Sequence, residues 1–320
     1  MDDLDIKILR EFITDVPNRC LQPDVTKSYI AISKNVGTTE DTVKNRVDKM
    51  CENGILRGWK LGVNPTLFRY RTDFFYFSTS SYNEKDKVIE KLKSISGVLW
   101  IVDYLGTFVG VLISSRDEKM LERKMLPIFS VISSKSFVRV SNQFPEVKKC
   151  LTTTDWKLIR SLMNDPRKKY SDISNELGIS SRMARRKLKT MIEEHAFFMF
   201  PDINVRKIEG RVVVTYAIFY SDDVGKKESE KNLLTKFRNY FLVALPPENA
   251  YAAYTFILPN LSIADRIMEY VNALNGVRTS TMRPIVDFIN LLDRTFNKEI
   301  RQKTVVTPLS HSASGHPNRC

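Results

Sequence analysis

A repeat constrains this 320-residue chain more than any other feature. Leu4 to Phe12 reads Leu-Asp-Ile-Lys-Ile-Leu-Arg-Glu-Phe, and Thr154 to Leu162 reads Thr-Asp-Trp-Lys-Leu-Ile-Arg-Ser-Leu. Asp5 falls on Asp155, Lys7 on Lys157 and Arg10 on Arg160. Further on, Ile30 to Ile55 matches Ser171 to Ala196, with Gly37 on Gly178, Val43 on Ala184, Val47 on Leu188 and Met50 on Met191. The offset drops from 150 to 141 because the first copy carries nine extra residues around Pro17 to Lys27. A loop insertion of that kind costs little in closure entropy. The repeat organises the chain into two like halves.

Each copy has the same rhythm. Leu4, Ile8, Leu9 and Phe12, or Trp156, Ile159 and Leu162, keep the i, i+3, i+4 spacing of one buried helix face. A short second helix follows over Tyr29 to Asn35 or Tyr170 to Leu177. It ends at a Gly, and Thr39 or Ser180 is placed to N-cap a third helix. Helix, glycine turn, helix is the helix-turn-helix arrangement. Asn53 to Trp59 and Ala196 to Pro201 read as β-wings behind it. Asp5 and Asp155 are expected to cap or orient the first helices, Met50 and Met191 to be core, Trp59 and Trp100 to pack, and His195 to stabilise a helix end.

The rest of each half changes period. Strands are expected near Thr72 to Thr79, Val98 to Asp103, Phe108 to Ser114 and Phe137 to Val140, with helices over Lys87 to Ile95 and Glu118 to Ile132. In the second half, strands fall at Arg211 to Tyr220, Phe241 to Leu245, Tyr251 to Leu258 and Val277 to Arg283, with helices over Glu228 to Tyr240 and Ser262 to Leu274. The order β-α-β-β-α-β is that of a ferredoxin-like unit. The expected fold is α+β: two winged helix-turn-helix domains (1–66 and 149–208) alternating with two ferredoxin-like domains (67–148 and 209–300). Residues 301–320 are polar and are expected to form a disordered tail.

Composition removes whole classes. No apolar run approaches the roughly 20 residues of a membrane span, and the acidic N-terminal residues do not look like a secretory signal. Cys20, Cys51, Cys150 and Cys320 are scattered, which argues against a disulfide framework or a zinc site and for a reducing, cytoplasmic setting. A metal or other cofactor is not expected. The net charge of +13 favours a polyanionic partner.

That charge is concentrated. Residues 1–66 hold ten basic and ten acidic side chains, whereas residues 152–209 hold twelve basic against eight acidic, a net +4. A reading helix needs short polar groups at its N-terminal end and cations along its exposed face. The first copy offers Thr38, Thr39, Thr42, Lys44, Asn45, Arg46 and Lys49. The second offers Ser180, Ser181, Arg182, Arg185, Arg186 and Lys189, with Lys187 beside them. Double-stranded DNA is the expected partner, held more firmly by the second module. The bland alternative is a solvated basic face used for protein contacts.

Leu4 to Leu9, Ala31 to Gly37, Thr42 to Val47 and Gly54-Ile55 resemble the winged helix-turn-helix of Lrp/AsnC transcription regulators. The β-α-β-β-α-β unit resembles that family's effector and oligomerisation domain, with Gly97-Val98 and Gly276-Val277 where the family carries a Gly-Val before a strand. The resemblance covers residues 1 to about 300, in two copies instead of one. It implies a DNA-binding regulator acting as a covalent pseudo-dimer on an asymmetric site. It leaves self-association through the ferredoxin-like domains open. The family's acidic, glycine-containing effector loop is altered here, to Tyr104 to Gly110 without an acidic residue at the turn and Pro246 to Ala250 without a glycine, so no effector is assigned. Siroheme decarboxylases share the architecture as fused pairs, but their sheet domains carry histidines and this chain has none there.

Overall fold

The structure, a computed structural model, describes residues 1–13, 27–132, 137–142, 144–245 and 250–304. The inserted segment of the first copy and the second effector-loop position (246–249) lie outside these. The first winged module consists of α1 (Asp3–Phe12), α2 (Tyr29–Val36), α3 (Glu40–Glu52) and strand β1 (Leu56–Val63). The first ferredoxin-like unit follows as β2 (Arg71–Ser78), α4 (Tyr82–Ser94), β3 (Val98–Tyr104), β4 (Phe108–Ser115), α5 (Glu118–Phe129) and β5 (Phe137–Asn142). The second copy repeats the order. Its winged module is α6 (Thr153–Leu162), α7 (Tyr170–Leu177), α8 (Ser181–Glu193) and β6 (Phe197–Ile203). Its sheet unit is β7 (Val212–Tyr220), α9 (Asp223–Lys236), β8 (Phe241–Leu245), β9 (Tyr251–Leu258), α10 (Leu261–Asn272) and β10 (Val277–Asn290).

Within each unit the strand order is that of the ferredoxin-like fold, β5-β2-β4-β3 and β10-β7-β9-β8, all antiparallel. The two units are joined by β10. Its first half, Val277 to Pro284, pairs with β7, and its second half, Ile285 to Asn290, pairs with β3. The sequence places the end of this strand at Arg283, because Pro284 breaks a ladder for want of an N–H. The strand instead changes partner there: the Pro284 carbonyl accepts from the Leu105 N–H at 2.8 Å, and the register shifts between Ile285 and Asp287.

Period-two alternation assigns each strand two buried faces. Phe75 and Phe77 of β2 pack beneath α4 and α5 with Val88, Leu92, Leu121 and Met125. Phe74 and Tyr76 turn the other way, into a cluster that also holds Ala217, Tyr251 and Ala253 of the second unit. The Tyr76 and Tyr251 hydroxyls hydrogen-bond at 2.7 Å across that layer. The two sheets therefore pack on each other by their inner faces, with helices outside. At one edge of the interface Arg206 binds Asp103 at 3.1 Å and Asp287 at 3.0 Å, while the buried Lys85 ammonium pairs with Asp103 and donates to the Gly106 carbonyl at 2.6 Å.

Two expectations are corrected. The segments read as wings are not separate hairpins: β1 pairs antiparallel with β6, from Leu56 opposite Ile203 to Val63 opposite Phe197. The reason is hydrophobic, since Phe197, Phe198 and Met199 are nearly inaccessible and a solvent-exposed wing would leave them in water. The polar tail begins later than Arg301, because helix α11 (Asn297–Thr304) runs through Arg301 to Thr304. Its Ile300 joins the cluster containing Phe68, Trp156 and Phe296, and Arg160 donates to the Thr304 hydroxyl at 3.3 Å. Residues 305–320 lie outside the description. Among the described residues, Cys51 is a free, exposed cysteine.

Gly276 at the start of β10 takes φ +82°, and a Cβ there would lie 2.9 Å from the Gly225 Cα. Both strain and contact are with backbone, which cannot rotate away. Gly276→Ala is expected to cost about 2 kcal/mol or more, read as a lowered denaturant midpoint at unchanged slope.

Candidate nucleic-acid interface

Both third helices are positioned by the same devices. Gly37 (φ +74°) and Gly178 (φ +64°) end α2 and α7 in the left-handed conformation. Thr39 then N-caps α3, its hydroxyl accepting from the Thr42 N–H at 3.2 Å, and Ser180 N-caps α8, accepting from the Met183 N–H at 3.2 Å. Val43, Val47 and Met50 anchor α3, and Ala184, Leu188 and Met191 anchor α8, all of them buried. What remains outward on α8 is Ser181, Arg182, Arg185, Arg186 and Lys189, each exposed, next to the exposed Ser180. On α3 the outward set is Lys44, Asn45 and Lys49, with Thr39 exposed and Thr38 and Thr42 partly covered.

The aspartates shared by the two copies prove to be part of the scaffold. Asp5 accepts from the Asp2 N–H at 2.9 Å while Asp2 caps the Asp5 N–H at 3.0 Å, a capping box. Thr152 and Asp155 form the same box in the second copy. Each box is clamped by a cation from the third helix: Arg46 reaches Asp2 at 2.5 Å and Asp5 at 3.3 Å, and Lys187 reaches Asp155 at 2.8 Å. Arg46 and Lys187 are equivalent under the repeat. Arg46 is therefore engaged inside its own module, whereas the sequence offers it as a DNA contact. Burial pushes the Asp155 carboxyl up, but Lys187 and the Thr152 hydroxyl and N–H outweigh it and hold the group below the usual carboxylate range. The Arg46 guanidinium, bonded to Asp2, is held above its ordinary value.

The two helix starts differ electrically. Glu40 and Asp41 occupy the first turn of α3, and no acidic residue occupies that of α8. Over their lengths α3 carries three basic and four acidic residues, and α8 five basic and one acidic. Carboxylates at a helix N-terminus suit the helix dipole but repel a phosphate from the same N–H groups. Arg185 lies 5.1 Å over the Tyr170 ring, which steers its guanidinium without removing its charge. Lys189 is within 3.7 Å of Glu193, an exposed i,i+4 pair worth little.

Trp59 and His195 take the packing and helix-end places expected of them. Trp59 packs edge-on to Phe12 with centroids 4.7 Å apart, and Arg167 of the second module lies over the rings of Phe12, Tyr29 and Trp59 at 5.2, 4.7 and 5.1 Å. Trp59 thus serves the contact between modules, and Arg167, unremarked in the sequence, is its cation. His195 closes the end of α8 as expected: at φ +55°, in the repeat position of Gly54 (φ +68°), its N–H donates to the Ile192 carbonyl at 3.0 Å, and burial lowers its pKa.

A family profile described as winged helix-turn-helix DNA-binding matches residues 151–195, the second module. An HTH-type transcriptional regulator of Methanocaldococcus jannaschii is 25% identical over 136 residues, covering 41% of this chain and 86% of that one. The regulatory protein AsnC of Haemophilus influenzae is 32% identical over 100 residues, covering 31% of this chain and 61% of that one. The chain is thus similar, over part of its length, to helix-turn-helix transcription regulators, AsnC among them. Among solved structures, the siroheme decarboxylase NirDL superposes with a TM-score of 0.52 at 13% identity over 94% of this chain and 99% of its own, a likeness of fold alone. The helix-turn-helix order occurs twice along this chain and the β-α-β-β-α-β order twice, an α+β architecture as expected from the repeat.

If the clamp carries the stability of the second module, Lys187→Met will destabilise it by about 2 kcal/mol, since it strands a buried carboxylate. Because Asp155 titrates lower in the folded chain than unfolded, its contribution is full above the unfolded carboxylate pKa and fades as pH falls through the folded value. Acid unfolding followed by circular dichroism should therefore begin at higher pH in K187M than in the parent.

Proposed function

We propose that this chain is a sequence-specific DNA-binding transcription regulator of the Lrp/AsnC type, in which one polypeptide acts as its own dimer. The observation that carries this reading is the outward face of α8, where Arg182, Arg185, Arg186 and Lys189 surround an acid-free helix start. Ser180 and Ser181, with the free N–H groups of the first turn, suit a phosphate oxygen, and the arginines suit guanine edges in the major groove. The first module supplies the second contact through Lys44, Asn45 and Lys49, with Thr38, Thr39 and Thr42 near the helix start; Arg46 contributes by holding the module together. Because the two helices differ so much in charge, the chain prefers an asymmetric site with one strongly gripped half.

The β1–β6 ribbon supports the pseudo-dimer, since it ties together two modules that a single-copy relative would bring from two chains. β5 and β8 remain as outer sheet edges and are the surfaces for any further self-association. Among the described residues no helix is long and apolar enough to cross a membrane, and a regulator of this kind works in the cytoplasm. We assign no effector and no cofactor.

The likeness to NirDL motivates an enzyme as second reading. The chain's histidines are His195, His311 and His316, so neither sheet domain contains one, and we propose that the chain is not a decarboxylase. A shift in the absorption spectrum on titrating an iron tetrapyrrole would favour the enzyme instead.

Filter binding with a double-stranded fragment across a salt series tests the regulator. Charge reversal of Arg185 and Arg186 together should reduce affinity more than reversal of Lys44 and Lys49 together. It should also lower the slope of log K against log salt by about one per lost phosphate contact. Equal losses in the two pairs would remove the asymmetry, and absence of salt-dependent retention would remove DNA binding.

A further inference from the structure

Between the two sheets, near the ribbon, lies a cavity of about 110 Å³. The size is of the order of the ~150 Å³ apolar cavity known to stay dry and to bind benzene. Its walls come from both halves: Phe74 and Val102 from the first sheet, Ile257 from the second, Phe200 from β6 and Phe288 from β10. Among the described residues no charged side chain lines it. The lining is therefore set against ions, whose burial without a partner is prohibitive.

The polar groups in the wall are, with one exception, already engaged. Thr215 and Thr255 hydrogen-bond to each other at 3.1 Å, Tyr104 bonds to Tyr76 and Thr215, and the Asn290 side-chain oxygen accepts from the Leu292 N–H at 3.0 Å. The exception is Trp100. It lines the cavity, is 2% exposed, and its indole N–H has no acceptor among the described residues. A buried donor left unpaired costs about 1–3 kcal/mol. A water could relieve that cost only where two to four polar partners surround it, and this wall is mostly apolar.

We infer that this cavity is a binding site for a small, uncharged, largely apolar molecule that presents one hydrogen-bond acceptor to the Trp100 indole. A ketone or ether of about six or seven heavy atoms matches the volume and the buried Trp100 donor. The walls belong to both sheets, to β6 of the ribbon and to β10, the strand shared by the sheets, so an occupant touches both halves. The site is independent of DNA binding, and its failure would leave the regulator reading as it stands.

The test uses the full chain, labelled with ¹⁵N, and three probes: cyclohexanone, cyclohexane and cyclohexanecarboxylate. The chain has three tryptophans, so three indole N–H signals are expected, and the Trp100 signal is the one missing in W100F. Cyclohexanone should move that signal and bind roughly tenfold tighter than cyclohexane, an advantage that W100F abolishes. The carboxylate should not bind, and V102F, which fills the cavity, should bind neither neutral probe. Should V102F fail to fold, the comparison of parent and W100F decides. An unmoved Trp100 signal, equal affinity for ketone and hydrocarbon in the parent, binding of the carboxylate, or an indole that contacts only water would each overturn the inference.

Discussion

The architecture depends on one strand being long enough to belong to two sheets. β10 gives its first half to β7 and its second half to β3, so the ferredoxin-like units share a continuous hydrogen-bonded ladder. Each unit alone would expose an edge at that place and one apolar sheet face, both of them unfavourable in water. Passing a strand between them removes the edge and brings the faces together. The tyrosine contact of Tyr76 with Tyr251, and the Lys85, Asp103, Arg206 and Asp287 cluster at the margin, then fix the pairing with polar groups whose partners lie within the interface.

From that frame the winged modules inherit their relation to each other. β1 and β6 form a ribbon against the sheet layer, and the modules cross over it. The core of the first module extends to Ile203, Ile208 and Val213, while that of the second takes in Leu61, Val63 and Phe68. Arg167 in its aromatic surround adds a direct bond between them. A single chain thereby fixes two like modules relative to each other, with the freedom to let their two third helices diverge.

That divergence has a physical consequence. In both copies the third helix must hold its own module together and also face outward. One cation per helix, Arg46 or Lys187, goes to the capping box, and the others are free to differ. In α8 they are almost all basic, and in α3 acidic residues cancel them. The same scaffold therefore carries two faces of different electrostatic character, which is why equivalence in fold does not imply equivalence in binding.

Much of this was readable from residues alone. The repeat, the period-3.6 apolar faces, the glycine turns and the threonine or serine caps are local signals, decided within a few residues, and they give the helix-turn-helix units and the element order of the sheets. The excess charge of the second module is likewise a property of composition. What the chain could not reveal locally was who pairs with whom. The partnership of β1 with β6 joins residues about 140 positions apart, the change of partner at Pro284 depends on a strand nearly 200 residues away, and the commitment of Arg46 depends on a capping box at the other end of its module. These are long-range contacts chosen by the burial of apolar surface and the satisfaction of buried charge, and only the assembled fold brings the groups near enough for either force to choose.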